Sequence, residues 1–309
     1  MITQTHEQLI NRFRGCLLGL ASGDAVGTTV EFCPRGTFPP VTDMTGGGPF
    51  DLNAGEWTDD TSMALCLATS LIEMGQFDPE DQMRRYCQWK DAGYLSSNGC
   101  CFDIGNATHR ALRHFQQTGD PFSGSTDKDS AGNGCLMRLA PIPLFFFANP
   151  SELMFFAGES ARTTHGAAEC IAASQLFGAQ LFMALSGGDK EQILWAHEFS
   201  DLSSLSITAI AKGNYKTKSI DNIRGSGYVV ESLEAALWCF LNTDSFEEAI
   251  LQATNLGDDT DTTAAICGQL AGAYYGETGI PTHWLERLVM RKEIGVLAEQ
   301  LYFGNRLAK

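Results

Sequence analysis

The stretch Asn255-Leu256-Gly257-Asp258-Asp259-Thr260-Asp261-Thr262-Thr263-Ala264-Ala265-Ile266-Cys267-Gly268 constrains this chain more than any other. Three carboxylates fall within four residues and run directly into small and apolar residues, the pattern of a helix packed closely against its neighbours. Repulsion among the acids calls for a counter-charge. A hard divalent cation such as Mg²⁺ or Mn²⁺ supplies one, because it takes carboxylate and hydroxyl oxygens in preference to nitrogen or sulfur. Helix capping competes with this reading, since Asp and Thr are ordinary N-cap residues and the macrodipole favours acids in a first turn. A second cluster shifts the balance. Thr58-Asp59-Asp60-Thr61 repeats the design at the head of the apolar run Ser62-Met63-Ala64-Leu65. Brought together across a helical core, the two clusters would offer four carboxylates and two hydroxyls. Such a set suits two divalent ions roughly 3.5 to 4 Å apart that orient a substrate and activate water.

The rest of the sequence limits the alternatives. A net charge of −16 argues against a partner with its own dense negative charge, so nucleic acid and anionic membrane are not expected to bind through the bulk field. The 309 residues contain no Pro/Ser/Gly-rich linker, and a single domain over 1–309 is expected. The first residues lack a charged region followed by an apolar run, as a secretory signal would have. The apolar segments 139–148 and 170–185 read as too short or too interrupted to span a bilayer. Ten cysteines without Cys-x-x-Cys spacing suit reduced thiols, and a cytoplasmic location is the expectation.

Taken in order, Leu9, Ile10, Phe13, Cys16, Leu17 and Leu20 recur at helical spacing and predict a helix ending near Ser22-Gly23. Asp24 then reads as a turn or capping residue, and Glu31, taken alone, as a solvated side chain. Residues 35–56 form a long Gly- and Pro-rich loop of the kind that carries binding function. Gly132 and Gly134 permit close backbone approach of a ligand, although glycines before a helix are more often plain turns. His165 precedes an apolar helix over 167–185 and reads as a structural group unless it donates to a substrate. The basic residues Lys212, Lys216, Lys218 and Arg224 read as a solvated loop. Helices are predicted over 229–241, 246–252 and 284–301, alternating strand patterns are absent, and the fold class is all-α.

These motifs resemble, in their order, those of the ADP-ribosylglycohydrolase family, which includes the dinitrogenase reductase-activating glycohydrolases and the vertebrate ADP-ribosylhydrolases. The resemblance spans about Phe13 to Phe303. It rests on Gly15-Cys16-Leu17-Leu18-Gly19 through Gly23-Asp24-Ala25 and Gly27, Glu31-Phe32, Thr58-Asp59-Asp60-Thr61, Gly132-Asn133-Gly134 with Met137-Arg138, and Asn255-Leu256-Gly257 with Asp259-Thr260-Asp261-Thr262. It implies a compact orthogonal helical bundle with two Mg²⁺ or Mn²⁺ ions. Thr58, Asp59, Asp60, Asp259, Asp261 and Thr262 would be the ligands. Glu31 would gate or assist the site, and Gly105, Asn133, Gly134 and His165 would lie around diphosphate and ribose, with Tyr228 near the adenine. One departure stands out: Asp258 occupies a position where the family usually has a second glycine.

The implied reaction releases ADP-ribose from a modified protein side chain, arginine first, or from a small-molecule adduct, with Asp60 or Asp261 handling the proton. A metal-free pair of carboxylates, as in ordinary glycosidases, is the mechanistic alternative. An immunity or binding protein that occludes an ADP-ribosyltransferase toxin is the functional one.

Overall fold

Two antiparallel helices, α1 (His6–Gly27) and α12 (Thr260–Tyr275), form the spine of the computed structural model, which describes residues 4–195 and 203–307. Their contact has almost no side chains in it. Gly15, Gly19, Gly23 and Gly27 recur every four residues on one face of α1 and meet Gly272, Gly268, Ala264 and Asp261 of α12 in turn. A Cβ added at Gly15, Gly19 or Gly23 would overlap the carbonyl oxygen of Gly272, Gly268 or Ala264. Glycine weakens an isolated helix by roughly 1 kcal/mol per residue. Here each one lets two backbones touch, and the packing of a whole helix face outweighs that cost. The first helix therefore runs past Gly23, where the sequence suggested a stop, and places Asp24 inside its last turn rather than in a loop.

Around this spine pack α2 (Asp59–Met74), α7 (Ala168–Leu185), α10 (Val229–Leu241), α11 (Phe246–Thr254) and α14 (Arg291–Leu307). Their shared core contains Phe13, Trp57, Phe177, Phe240, Phe246 and Trp284. Burial of each such side chain contributes roughly 1.5 to 3 kcal/mol. A satellite core joins α2 to α3 (Pro79–Ala92) and α4 (Asn106–Thr118) through Met63, Tyr86, Trp89 and Leu112. The shorter helices are α5 (Pro141–Phe145), α6 (Pro150–Arg162), α8 (Lys190–Leu194), α9 (Leu205–Ala211) and α13 (Thr282–Arg287). Among the described residues there is no β-strand, and only isolated bridges such as Gly132 to Tyr228 occur.

Three further expectations change. The helix predicted over 284–301 is two helices, because Met290 adopts φ +55° and the break is held by Val289 N–H to the Gly55 carbonyl and Trp57 Nε1–H to the Val289 carbonyl. The basic stretch is not wholly a solvated loop: Lys212 caps the C-terminal end of α9, and Lys218 pairs with Glu234 at 2.5 Å. Helix α7 is long and apolar enough to cross a membrane, contrary to the reading of 170–185. Two-thirds of it is buried in the protein, as expected of a core helix. All ten cysteines are free thiols.

Candidate active site

The N-terminal turns of α2 and α12 meet at the end of the α1–α12 spine, with Asp59, Asp60, Asp261 and Thr262 buried. The start of α4 and the turn Asn133–Cys135 complete a cavity of about 490 Å³. Its wall includes Glu31, Asp59, Asp103, Asp259 and Asp261. Several helix N-termini thus face one acidic space, and their positive dipole ends offset part of the repulsion there.

Thr58 occupies the N-cap position of α2 without using its side chain there. Asp24 caps the helix instead, accepting from the Thr58 N–H (2.9 Å) and hydroxyl (2.9 Å) and from the Thr61 N–H (3.0 Å) and hydroxyl (2.6 Å). The Thr58 hydroxyl oxygen also lies 3.3 Å from Asp261 Oδ2 and 3.4 Å from Asp60 Oδ2, and Thr262 Oγ1 lies 3.4 Å from Asp60 Oδ2. One hydroxyl proton serves one acceptor. With the Thr58 proton at the nearer Asp24, its oxygen faces the other carboxylates with no proton between them.

Glu31, Asp103 and Asp261 each contribute an oxygen to a group lying within 4.8 Å of one another. Burial first, and then the neighbouring acids, push Glu31 up to about 10 and Asp59, Asp60 and Asp261 well above the ordinary carboxylate range. Asp103 is raised by burial to about 7. Among the described residues no Lys or Arg forms an ion pair with these acids. Glu31 Oε2, Asp60 Oδ1 and Asp261 Oδ1 are buried without any hydrogen-bond partner. Such atoms are costly unless something binds them. A hard divalent cation matches both the unpaired oxygens and the uncompensated charge, so the residues present fit a metal.

The chain matches the family model for ADP-ribosylglycohydrolase over residues 5–308. It belongs to the ADP-ribosylglycohydrolase family. The chain is 48% identical over 300 residues to an ADP-ribosylarginine hydrolase of Pseudomonas putida (strain GB-1), covering 97% of this chain and 80% of that protein. It is 33% identical over 292 residues to the ADP-ribosyl-[dinitrogen reductase] glycohydrolase of Rhodospirillum rubrum, covering 92% of each. A solved ADP-ribosylglycohydrolase-related protein complex contains a chain that superposes with a TM-score of 0.86 at 44% identity, over 97% of this chain and 99% of that one.

In this glycohydrolase the six residues singled out as candidate ligands converge. Thr58, Asp60, Asp261 and Thr262 are linked by the short distances above, and Asp59 and Asp259 line the same cavity. Asn133 donates to Asp259 Oδ2 at 2.8 Å. Gly105, Asn133, Gly134 and His165 are all in the cavity wall. Tyr228 is not: it lines an adjoining hollow of about 700 Å³ with Arg110, Lys128 and Glu169, and its hydroxyl donates to Glu169 at 2.6 Å. Glu31 is buried rather than solvated, and Asp24 supports α2 rather than its own turn.

Asp103 was missed. It follows an irregular segment with no neighbouring acid, and its only local signal is the Ile104-Gly105-Asn106 helix start behind it. Its φ of +58° turns the chain so that the carboxylate reaches Glu31 and Asp261. Asp258, the departure from the family pattern, has φ +67° and is exposed outside the cavity wall. That conformation explains a usual glycine here, and Asp is among the residues that tolerate it. Its carbonyl accepts from the Phe32 N–H (2.8 Å) and its own N–H donates to the Cys33 carbonyl (2.9 Å).

Proposed function

We propose that this glycohydrolase removes ADP-ribose from arginine side chains with the help of bound Mg²⁺ or Mn²⁺. The observation that carries the metal reading is the set of buried, unpartnered oxygens on Glu31, Asp60 and Asp261, with no Lys or Arg among the described residues paired to them. Identities of 48% and 44% to ADP-ribosylarginine hydrolases of Pseudomonas putida and Serratia proteamaculans support arginine as the linkage. Thr58, Asp59, Asp60, Asp259, Asp261 and Thr262 would hold two ions. When bound, these would polarise substrate oxygens and lower the pKa of water.

The chain's own residues do the rest. The first turn of α4 has no side-chain cap, so its amides are available to the diphosphate, with Gly105 leaving room for close approach. Asn133 and Gly134 border the ribose, and the hollow beside Tyr228 takes the adenine. Water adds to the anomeric carbon, the C1″–N bond breaks with its electron pair going to nitrogen, and the proton lost by water reaches the leaving guanidino group. Carboxylates of the cavity carry that proton: Asp60 and Asp261, each with an unpartnered oxygen, on the water side, and Glu31 with Asp103 beside the leaving group.

Hydrolysis of ADP-ribosyl-arginine and ADP-ribosyl-serine peptides, with Mg²⁺, Mn²⁺ or a chelator, tests this reading. Turnover confined to the arginine peptide and abolished by chelation is the expected result. Equal turnover after complete chelation would remove the metal, and preference for serine would remove the arginine assignment. Asp259→Ala separates hydrolysis from occlusion of a toxin ADP-ribosyltransferase: a hydrolase loses its activity, whereas a blocking protein keeps its effect.

A further inference from the structure

Arg138 is fully buried in an acidic protein, yet among the described residues no carboxylate pairs with it. Its Nη2 donates to the Ser160 carbonyl (3.4 Å), the Thr163 hydroxyl (3.3 Å) and, at 2.6 Å, the Thr164 hydroxyl. The guanidinium also lies over the Tyr86 ring, 4.9 Å from its centroid, while Nε has no partner. Ser160 and Thr163 belong to the C-terminal end of α6, where the helix dipole favours a cation. That accounts for how the charge is tolerated. It does not account for an arginine here in place of an apolar residue, because burying a charge without an opposite charge is strongly unfavourable.

The Thr164 contact supplies a reason. A guanidinium only donates, so Thr164 Oγ1 is the acceptor in that bond. Among the described residues the hydroxyl's own proton then has one acceptor in reach, His165 Nδ1 at 2.8 Å. Turned elsewhere, it would be a buried donor without a partner, which is unfavourable. Nδ1 therefore presents its lone pair, and the proton of the neutral ring sits on Nε2. That edge of the ring faces the acidic cavity: a Cβ on Gly134 would lie 2.7 Å from Cε1 and 3.1 Å from Nε2, and one on Gly132 would lie 3.3 Å from Nε2. Both glycines line the cavity with His165, and the ring's one hydrogen bond within the described protein is at Nδ1. Burial, with the Arg138 charge behind it, holds His165 down at about 3, so the ring stays neutral near pH 7.

We infer that Arg138 is a positioning residue: through the Thr164 hydroxyl it fixes His165 as the Nε2–H form, aimed into the cavity as a donor to an oxygen of bound ADP-ribose. The identity of that oxygen's owner rests on the function proposed above. The ring's tautomer is a property of the protein alone.

The test combines NMR of the imidazole nitrogens in the ¹⁵N-histidine-labelled full chain with calorimetric binding of ADP-ribose in Mg²⁺. His165→Gln assigns the resonance. Wild type and Thr164→Ser should both show His165 protonated at Nε2. Thr164→Val, which removes the hydroxyl at nearly constant volume, should lose the single tautomer and bind ADP-ribose about tenfold more weakly, the scale of one hydrogen bond to a ligand. A wild-type His165 protonated at Nδ1, or a Thr164→Val protein that binds ADP-ribose like wild type, overturns the inference. If Thr164→Val does not fold, the wild-type spectrum still decides. If wild type binds no ADP-ribose, the proposed function fails, and the nitrogen shifts still settle the Arg138–Thr164–His165 arrangement.

Discussion

Asp24 Oδ2 accepts a 2.6 Å hydrogen bond from the hydroxyl of Thr61, so the last turn of one helix caps the first turn of another. Two carboxylate oxygens there satisfy four donors from Thr58 and Thr61. Asp24→Ala strands those donors in a buried place, and a loss of roughly 3 kcal/mol is expected in urea denaturation of the metal-free protein. Asp24→Asn, with one acceptor oxygen left, should fall between wild type and Ala.

The spine gives a sharper stability test. Gly19→Ala or Gly268→Ala places a methyl group against backbone that has no side chain to move aside. Either should cost more than about 3 kcal/mol or prevent folding, as overpacking does where relaxation is blocked. Gly105→Ala, whose Cβ meets nothing within 4 Å, should change thermal stability by less than about 1 kcal/mol.

Divalent cation should stabilise the stripped protein. At 100 times its dissociation constant, Mg²⁺ or Mn²⁺ adds about 2.7 kcal/mol by linkage, seen as a rise in Tm. Asp261→Asn should abolish most of that rise while leaving the metal-free fold as stable as before or more so, because it removes one of several mutually repelling buried acids.

Asp103→Asn keeps the side-chain shape and a residue at home at φ +58°. Turnover of ADP-ribosyl-arginine should fall by about 100-fold, the lower end for a proton-transfer group, with Tm unchanged or raised. Wild-type turnover in this variant would leave Asp103 a bystander.

His165 gives a pH signature. The unfolded histidine takes a proton below about 6.5, whereas the folded one stays neutral until about 3. Its contribution is therefore complete above 6.5 and is lost as pH falls between those values. Relative to His165→Gln, wild type should lose stability on that descent with a slope approaching 1.4 kcal/mol per pH unit. Parallel stability curves for the two proteins would contradict a buried neutral ring.

The two acidic clusters were legible because each packs its chemistry into a few consecutive residues ahead of an apolar run. The all-α class followed from periodicity in the same way. Asp103 and the support role of Asp24 were not legible, since both depend on chain that returns from far away to meet them. The extent of the first helix was misjudged by treating Ser22-Gly23 as a stop. The repeat of Gly15, Gly19, Gly23 and Gly27 was the available signal, and it reads as a packing face only once a partner backbone is in view. Tyr228 lies in a different hollow from His165, a separation that no spacing along the chain conveys.

The link between residues 32–33 and 258 joins the strand of chain behind Glu31 to the one ahead of Asp259 through main-chain atoms only. The Phe32 and Asp258 side chains are both exposed, each at positive φ, Phe32 at the edge of the cavity it helps to line and Asp258 outside it. The enzyme thus has a hem whose stitching is indifferent to what is embroidered on it. The side chain at 258, outside the cavity, can be exchanged, within what that backbone angle tolerates, to suit the shape and charge of an incoming protein target, while the acids a residue away stay in register and Phe32 remains at the cavity's edge.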